Sequence, residues 1–248
     1  MQYRSLGKTD IKVSVMALGC WPFAGGAVWG PQDDKDSIAT VHASLDNGIN
    51  FFDTAEGYEN GKSEDVLGAA LKGRRDKAVI ATKVSPNHLG AEDVMLSCER
   101  SLRFLKTDYI DLYQVHWPSR SAVQPAQPRG KQAVGSGGGS SREVPLAETM
   151  DALERLKRQG KVRSIGVSNF GVQDLSKVLK MTQIVTDQLP YSLLWRAIEY
   201  EIKPLCAKNK VGIICYSPLA QGLLVGRYKT ADEVPEGLAR TRIFSNKR

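Results

Sequence analysis

Asp53, Tyr58, Lys83 and His116 offer a carboxylate, a phenol, an ammonium and an imidazole, placed where runs of strand character end. Ile49-Asn50-Phe51-Phe52 leads into Asp53, with Tyr58 five residues on. Ala78 to Thr82 leads into Lys83, and Ile110 to Val115 leads into His116. These four types together suit delivery of a proton to an oxygen that gains negative charge, as a carbonyl oxygen does when a hydride reaches its carbon. A phenol ordinarily ionises near pH ~10 and is a poor acid at neutrality. A neighbouring ammonium is expected to lower that value. On this reading Asp53 keeps Lys83 charged and in place, Lys83 tunes Tyr58, and His116 steers the substrate oxygen. Each residue taken alone has a plainer explanation: a helix cap, surface packing, a solvated strand end, a satisfied core histidine.

The elements that would position them alternate along the chain. Two short strand-like pieces around Gly7-Lys8-Thr9-Asp10 read as a hairpin, and Val15 to Gly19 as the first barrel strand. Helix patterns cover 34–47, 63–72, 91–105, 146–159, 171–180 and 197–209. Strand patterns cover 49–53, 78–83, 109–115, 162–167, 184–188 and 211–216. Repeated strand–helix units imply an α/β protein with a parallel sheet and helices outside it. The expected architecture is a single (β/α)8 TIM-barrel-type domain over 1–248 with an N-terminal hairpin. Strand ends of such a barrel open onto one face, where active sites are built.

Residues 119–144 contain Pro125, Pro128 and the run Gly135-Ser136-Gly137-Gly138-Gly139-Ser140-Ser141, and read as a flexible loop insertion. After Tyr216-Ser217-Pro218-Leu219 no eighth strand and no closing helices are found, and 226–248 read as an irregular tail. A barrel closes when its last strand pairs with its first. Strands one and seven are therefore expected to flank an open seam beside Val15, Leu18, Ile213 and Ile214, with a tendency to self-associate.

The local sequence around these residues resembles the aldo-keto reductases. Asn47 to Ala55, Asp111 to Pro118, Gly160 to Phe170 and Tyr216 to Leu219 carry the resemblance besides the four residues themselves. It implies Asp53, Tyr58, Lys83 and His116 as a catalytic tetrad. It further implies that Ser168, Asn169 and Gln188 hold a nicotinamide carboxamide, that Tyr216 stacks on the ring, and that Ser217, Leu219, Gln221 and Gly222 line the pyrophosphate. The cofactor so implied is NADPH, with NADH left open because no counterpart of the family's 2′-phosphate segment is found. The reaction implied is NAD(P)H-dependent reduction of aldehydes and ketones. The alternatives are a cofactor-binding regulatory subunit resembling those of potassium channels, or a shortened inactive relative. Trp21, Trp29 and Trp117 follow strand ends and could wall a substrate pocket, core packing being the other reading.

The chain has 248 residues, 42% hydrophobic and 25% charged, with a net charge of +7. The cations are interleaved with acids, as in Lys72 to Lys77, so solvated helix faces fit better than a nucleic-acid surface. Cys20, Cys98, Cys206 and Cys215 show neither zinc spacing nor a disulfide framework, and the three histidines lack ligand spacing, so no metal is expected. No signal-peptide core and no membrane-length apolar run is found, and a cytoplasmic protein is expected.

Overall fold

The computed structural model describes residues 1–119, 143–226, 229–230 and 233. A two-stranded antiparallel hairpin, β1 (Tyr3–Ser5) and β2 (Lys12–Ser14), comes first. Seven parallel strands then form one curled sheet in strict chain order: β3 (Ala17–Gly19), β4 (Phe51–Asp53), β5 (Val79–Val84), β6 (Ile110–Val115), β7 (Val162–Ser168), β8 (Ile184–Pro190) and β9 (Gly212–Tyr216). The helices are a short α1 (Gly26–Trp29), α2 (Asp34–Asp46), α3 (Lys62–Ala70), α4 (Ala91–Leu105), α5 (Leu146–Arg158), α6 (Val172–Val178) and α7 (Ile202–Asn209).

Strands β4 to β6 are buried along their whole length, as befits a sheet covered by helices on one face and curled over a packed interior on the other. Phe52, Ile80 and Tyr113 face the helices, packing with Val41, Leu67, Leu102 and Leu153. Phe51, Ala81 and Leu112 point the other way and meet Leu6, Ile11 and Val13 of the hairpin. The hairpin thus plugs the bottom of the curled sheet. Gly7, at its turn, has φ +54°, and a Cβ there would lie 2.1 Å from the Val185 carbonyl oxygen. Only glycine permits that approach.

The bottom of the sheet is also closed by charge. Asp111 accepts hydrogen bonds from Arg75 Nη2 and Arg163 Nη1, both at 2.7 Å, and from the Ile80 N–H at 2.9 Å. Arg75 donates further to the Ala78 and Tyr109 carbonyls and stacks over the Tyr109 ring at 4.0 Å. One carboxylate thereby joins the starts of β5, β6 and β7.

Two expectations need correction. The helix expected over 197–209 is broken into a 3-10 turn at Ala197–Glu199 and α7. Pro204 has no N–H, and its ring would collide with the Tyr200 carbonyl in a continuous helix. The first barrel strand begins at Ala17 rather than Val15, because Val15 donates its N–H to Gln2 and Met16 accepts from the Ser14 hydroxyl. These contacts tie both residues to the hairpin.

Among the described residues the sheet has edges at β3 and β9, and a cleft of about 680 Å³ lies between them, lined by Val15, Met16, Ala17 and Gly212 to Cys215. Val15 and Met16 are exposed there. The expected insertion falls mostly outside the described residues, but its ends meet: the Val144 N–H donates to Ser119 Oγ at 3.0 Å. The expected tail from 226 onwards also lies almost wholly outside them.

Candidate active site

Parallel register sets where the four ionisable groups emerge. Phe51 pairs with Val79, Asp53 with Ala81, and Lys83 with Gln114. Alternation then points Asp53, Lys83 and Gln114 to the inner face, while Thr82 and Tyr113 face the helices. His116 follows β6 directly, its N–H bound to the Val84 carbonyl at 3.0 Å. Tyr58 arrives from the loop after β4.

Lys83 is 1% exposed and its ammonium is divided among three oxygens. It donates to Asp53 Oδ2 at 2.9 Å, to the Thr54 carbonyl at 2.7 Å and to the Tyr58 hydroxyl at 3.3 Å. Asp53 Oδ1 has no hydrogen-bond partner among the described residues. The His116 ring stands edge-on to Tyr58 at 5.9 Å between centroids. Trp21 stacks on Tyr58 at 5.2 Å, and Trp29 meets Trp21 edge-on at 5.5 Å. Asp53, Tyr58, Lys83 and His116 therefore converge, and two of the three tryptophans join them. Trp117 is 45% exposed and takes no part in that stack.

Electrostatics here depart from the sequence expectation in one respect. Burial pushes the Tyr58 phenol above its ordinary value, and the charge of Lys83 offsets only part of that rise. The phenol is a held proton, not a half-ionised group. Burial would lower the Lys83 ammonium, but Asp53 and Tyr58 outweigh it and keep the cation above its usual range. His116 is lowered to about 3 by burial and then by Lys83, so its imidazole is neutral at physiological pH.

A second cluster adjoins the first. Asn169, in the left-handed region at φ +63°, donates from Nδ2 to the His116 carbonyl and to Ser168 Oγ, both at 3.0 Å. Tyr216 donates its hydroxyl to Asn169 Oδ1 at 2.8 Å. Ser168 Oγ donates to the Gln188 carbonyl, and the Gln188 side chain accepts from Gln114 Nε2 at 3.2 Å. Ser168, Asn169, Gln188 and Tyr216 are thus brought together, with Tyr216 offering an aromatic ring beside two amides and a hydroxyl. Ser217 follows at φ +52°, while Leu219 precedes and Gln221 and Gly222 lie on a 3-10 segment, Ala220–Val225. The donors, acceptors and ring suit an aromatic carboxamide.

Two participants were not singled out from sequence. Gln114 bonds Thr186 and Gln188 and is paired in register with Lys83; its place one residue before Val115 and two before His116 was the available signal. Glu56, between Asp53 and Tyr58, holds the loop by accepting from the Ser85 N–H and from Arg100. Among the described residues no group of three or more His, Cys, Asp or Glu side chains could hold a metal ion.

The family profile described as the aldo/keto reductase family matches residues 15–243. The chain belongs to that family. It is 36% identical to the aldo-keto reductase YhdN of Bacillus subtilis over 92% of its own length, and spans 65% of that relative. It is 35% identical to the NADH-specific methylglyoxal reductase of Escherichia coli, over 96% of this chain and 73% of the relative. The crystal structure of a Klebsiella pneumoniae aldo-keto reductase in complex with NADPH superposes with a TM-score of 0.71 at 34% identity. That match covers 89% of this chain and 68% of the other. The seven-stranded curled sheet is accordingly a (β/α)8-type fold, of which seven strands are described.

Proposed function

We propose that this chain reduces aldehydes and ketones to alcohols with NADPH, NADH being the other donor that the site would accept. The observation that carries the reading is the contact of the Lys83 ammonium with the Tyr58 hydroxyl, backed by Asp53, beside a neutral His116. The relatives support it by their names: one is a methylglyoxal reductase specific for NADH, and another was crystallised with NADPH.

The nicotinamide supplies a hydride when bound. Ser168, Asn169 and Gln188 would hold its carboxamide, Tyr216 would cover one face of its ring, and Ser217, Leu219, Gln221 and Gly222 would lie along the pyrophosphate. The remaining work belongs to the chain's own groups. His116, neutral and with one N–H, orients the carbonyl oxygen by hydrogen bonding. Tyr58 passes its proton to that oxygen as charge develops. Lys83 donates to Tyr58 from a buried site, so the phenolate left behind faces a cation at once. Asp53 and the Thr54 carbonyl fix the direction of that ammonium. Trp21 and Trp29, together with Trp117, would wall the entrance for a small carbonyl compound.

Replacing Tyr58 by Phe deletes the acid and keeps the ring. Turnover should fall by about 10²–10⁴-fold while cofactor still quenches tryptophan fluorescence. Substantial remaining turnover would exclude Tyr58 as the donor.

The setting proposed is the cytoplasm, as a single domain without nucleic-acid partners. All four cysteines are free, three of them buried, and no helix among the described residues is long and apolar enough to cross a membrane. Among the described residues β3 and β9 are the edges of the sheet, which favours self-association of the chain.

A further inference from the structure

Glu56 is a buried carboxylate that the proton-transfer chemistry does not use, and it sits two residues before Tyr58. Its N–H donates to the Lys83 carbonyl at 3.3 Å. Its Oε1 accepts the Ser85 N–H at 2.7 Å and His88 Nδ1 at 3.0 Å, the histidine donating because a carboxylate only accepts. Its Oε2 accepts from Arg100 Nη2 at 2.5 Å. Burial alone would raise this carboxyl, but Ser85, His88 and Arg100 outweigh it and hold it below the ordinary range. The side chain thus ties the loop after β4 to the loop after β5 and to α4.

The symmetry of that tie matters. Tyr58 lies two residues beyond Glu56, and Lys83 lies two residues before Ser85. The contact between them, 3.3 Å, is already at the long end for a hydrogen bond, so a shift of a few tenths of an ångström would break it. Beyond Tyr58 the chain turns sharply before it is fixed again, by the Lys62 N–H on the Glu59 carbonyl and by Ser63 Oγ on the Cys20 carbonyl. Glu59, Asn60 and Gly61 have φ of 47°, 53° and 90°, conformations costly for the two non-glycine residues. The Tyr58 carbonyl accepts a long hydrogen bond, 3.4 Å, from the Ser63 N–H. Glu56 is the strong anchor on one side of a strained segment.

We propose that Glu56 is a positioning residue for reduction: by binding Ser85, His88 and Arg100 at once, it sets the reach of Lys83 to the Tyr58 hydroxyl. This rests on the reading of Tyr58 as the acid. The test compares Glu56→Ala, Glu56→Asp and Tyr58→Phe with the wild type in three readouts. These are kcat and KM for an aldehyde with NADPH, NADPH binding by tryptophan quenching, and ionisation of Tyr58 in the cofactor-free protein. The last is the wild-type minus Tyr58→Phe difference in tyrosinate absorbance, repeated with each Glu56 variant as parent.

Glu56→Ala should lower kcat by about ten- to a hundredfold, with KM and cofactor affinity within about twofold. Tyr58 ionisation should move to higher pH as Lys83 loses contact with the phenol. Glu56→Asp keeps the charge but draws the carboxylate back by one bond, so it should move both readouts in the same direction by less, and it stands in if the alanine variant does not fold. Unchanged kcat and unchanged Tyr58 ionisation in Glu56→Asp, with Tyr58→Phe inactive, overturn the role of Glu56 and leave the acid assignment intact. Activity in Tyr58→Phe overturns the acid assignment itself.

Discussion

Asp111 and Asp53 are both buried carboxylates facing cations, at opposite ends of the same sheet, and they are built differently. At the bottom, Asp111 has both oxygens engaged, by two guanidinium groups and a backbone N–H. At the top, Asp53 engages one oxygen with one ammonium and leaves the other without a partner among the described residues. The guanidinium is planar, permanently charged and suited to a fixed network, whereas an ammonium can redirect its three donors and feel its surroundings. Lys83 spends one donor on a phenol instead of on its counter-ion. A fully satisfied network reads as stability, and one with a donor diverted to a proton-bearing group reads as chemistry.

The contrast can be broken from either end. The largest effect should come from Lys83→Met, which removes the cation that would meet the phenolate. The rate of carbonyl reduction at neutral pH should fall by about 10²–10⁴-fold, measured as single turnover with saturating cofactor. Near-normal rates would make Lys83 a structural residue like its counterparts below. At the other end, Asp111→Asn should cost about 3 kcal/mol of stability by denaturant unfolding, because Arg75 and Arg163 then converge on a neutral group. The folded fraction should keep its kcat. A marked loss of kcat without loss of stability would erase the distinction between the two ends.

A smaller effect sharpens the comparison. Glu64, on α3, is fully buried, accepts from Thr82 Oγ1 at 2.6 Å, and has Ser101 close enough to offset part of the effect of burial. Burial is the largest influence on it and raises its carboxyl to about 7. The folded protein then holds a proton that the unfolded chain has released, between the ordinary carboxylate value and about 7. Stability must therefore fall as pH rises through that window and level off above it. Glu64→Gln should flatten the slope, giving about 3 kcal/mol more stability than wild type at pH 8 relative to pH 4.5. Parallel stability curves for the two proteins would refute it. The smallest effect is expected at the seam. Met16→Lys places a charge in the cleft beside the edge strand β3, where Met16 is exposed, and should reduce any concentration-dependent association in sedimentation, leaving the melting temperature within a few degrees.

Much of the fold was legible because apolar periodicity here agrees with local propensity. Ala91–Leu105 forms the helix that its pattern predicts, and the remaining strands differ from expectation by a residue or two at their ends. Pro204 in the last expected helix marked the break that the periodicity obscured. In the site, the strand ends gave away Asp53, Lys83 and His116, since parallel register carries strand ends to one face. The role of Glu56 was not legible, because its partners Ser85, His88 and Arg100 lie 29 to 44 residues away. Nor could the balance at Tyr58 be read: sequence shows that a lysine is available, but only packing shows that burial outweighs its charge.

The central claim is that a protonated phenol delivers the proton while a neutral imidazole only orients the substrate. The pH dependence of the single-turnover rate tests it most directly. With Tyr58 raised above its ordinary value and His116 lowered to about 3, the rate should not require a cationic imidazole anywhere near neutrality, and should be lost only at high pH as the phenol ionises. A rate that climbs as a group near the ordinary imidazole value becomes protonated, and loses that limb in His116→Gln, would contradict the account.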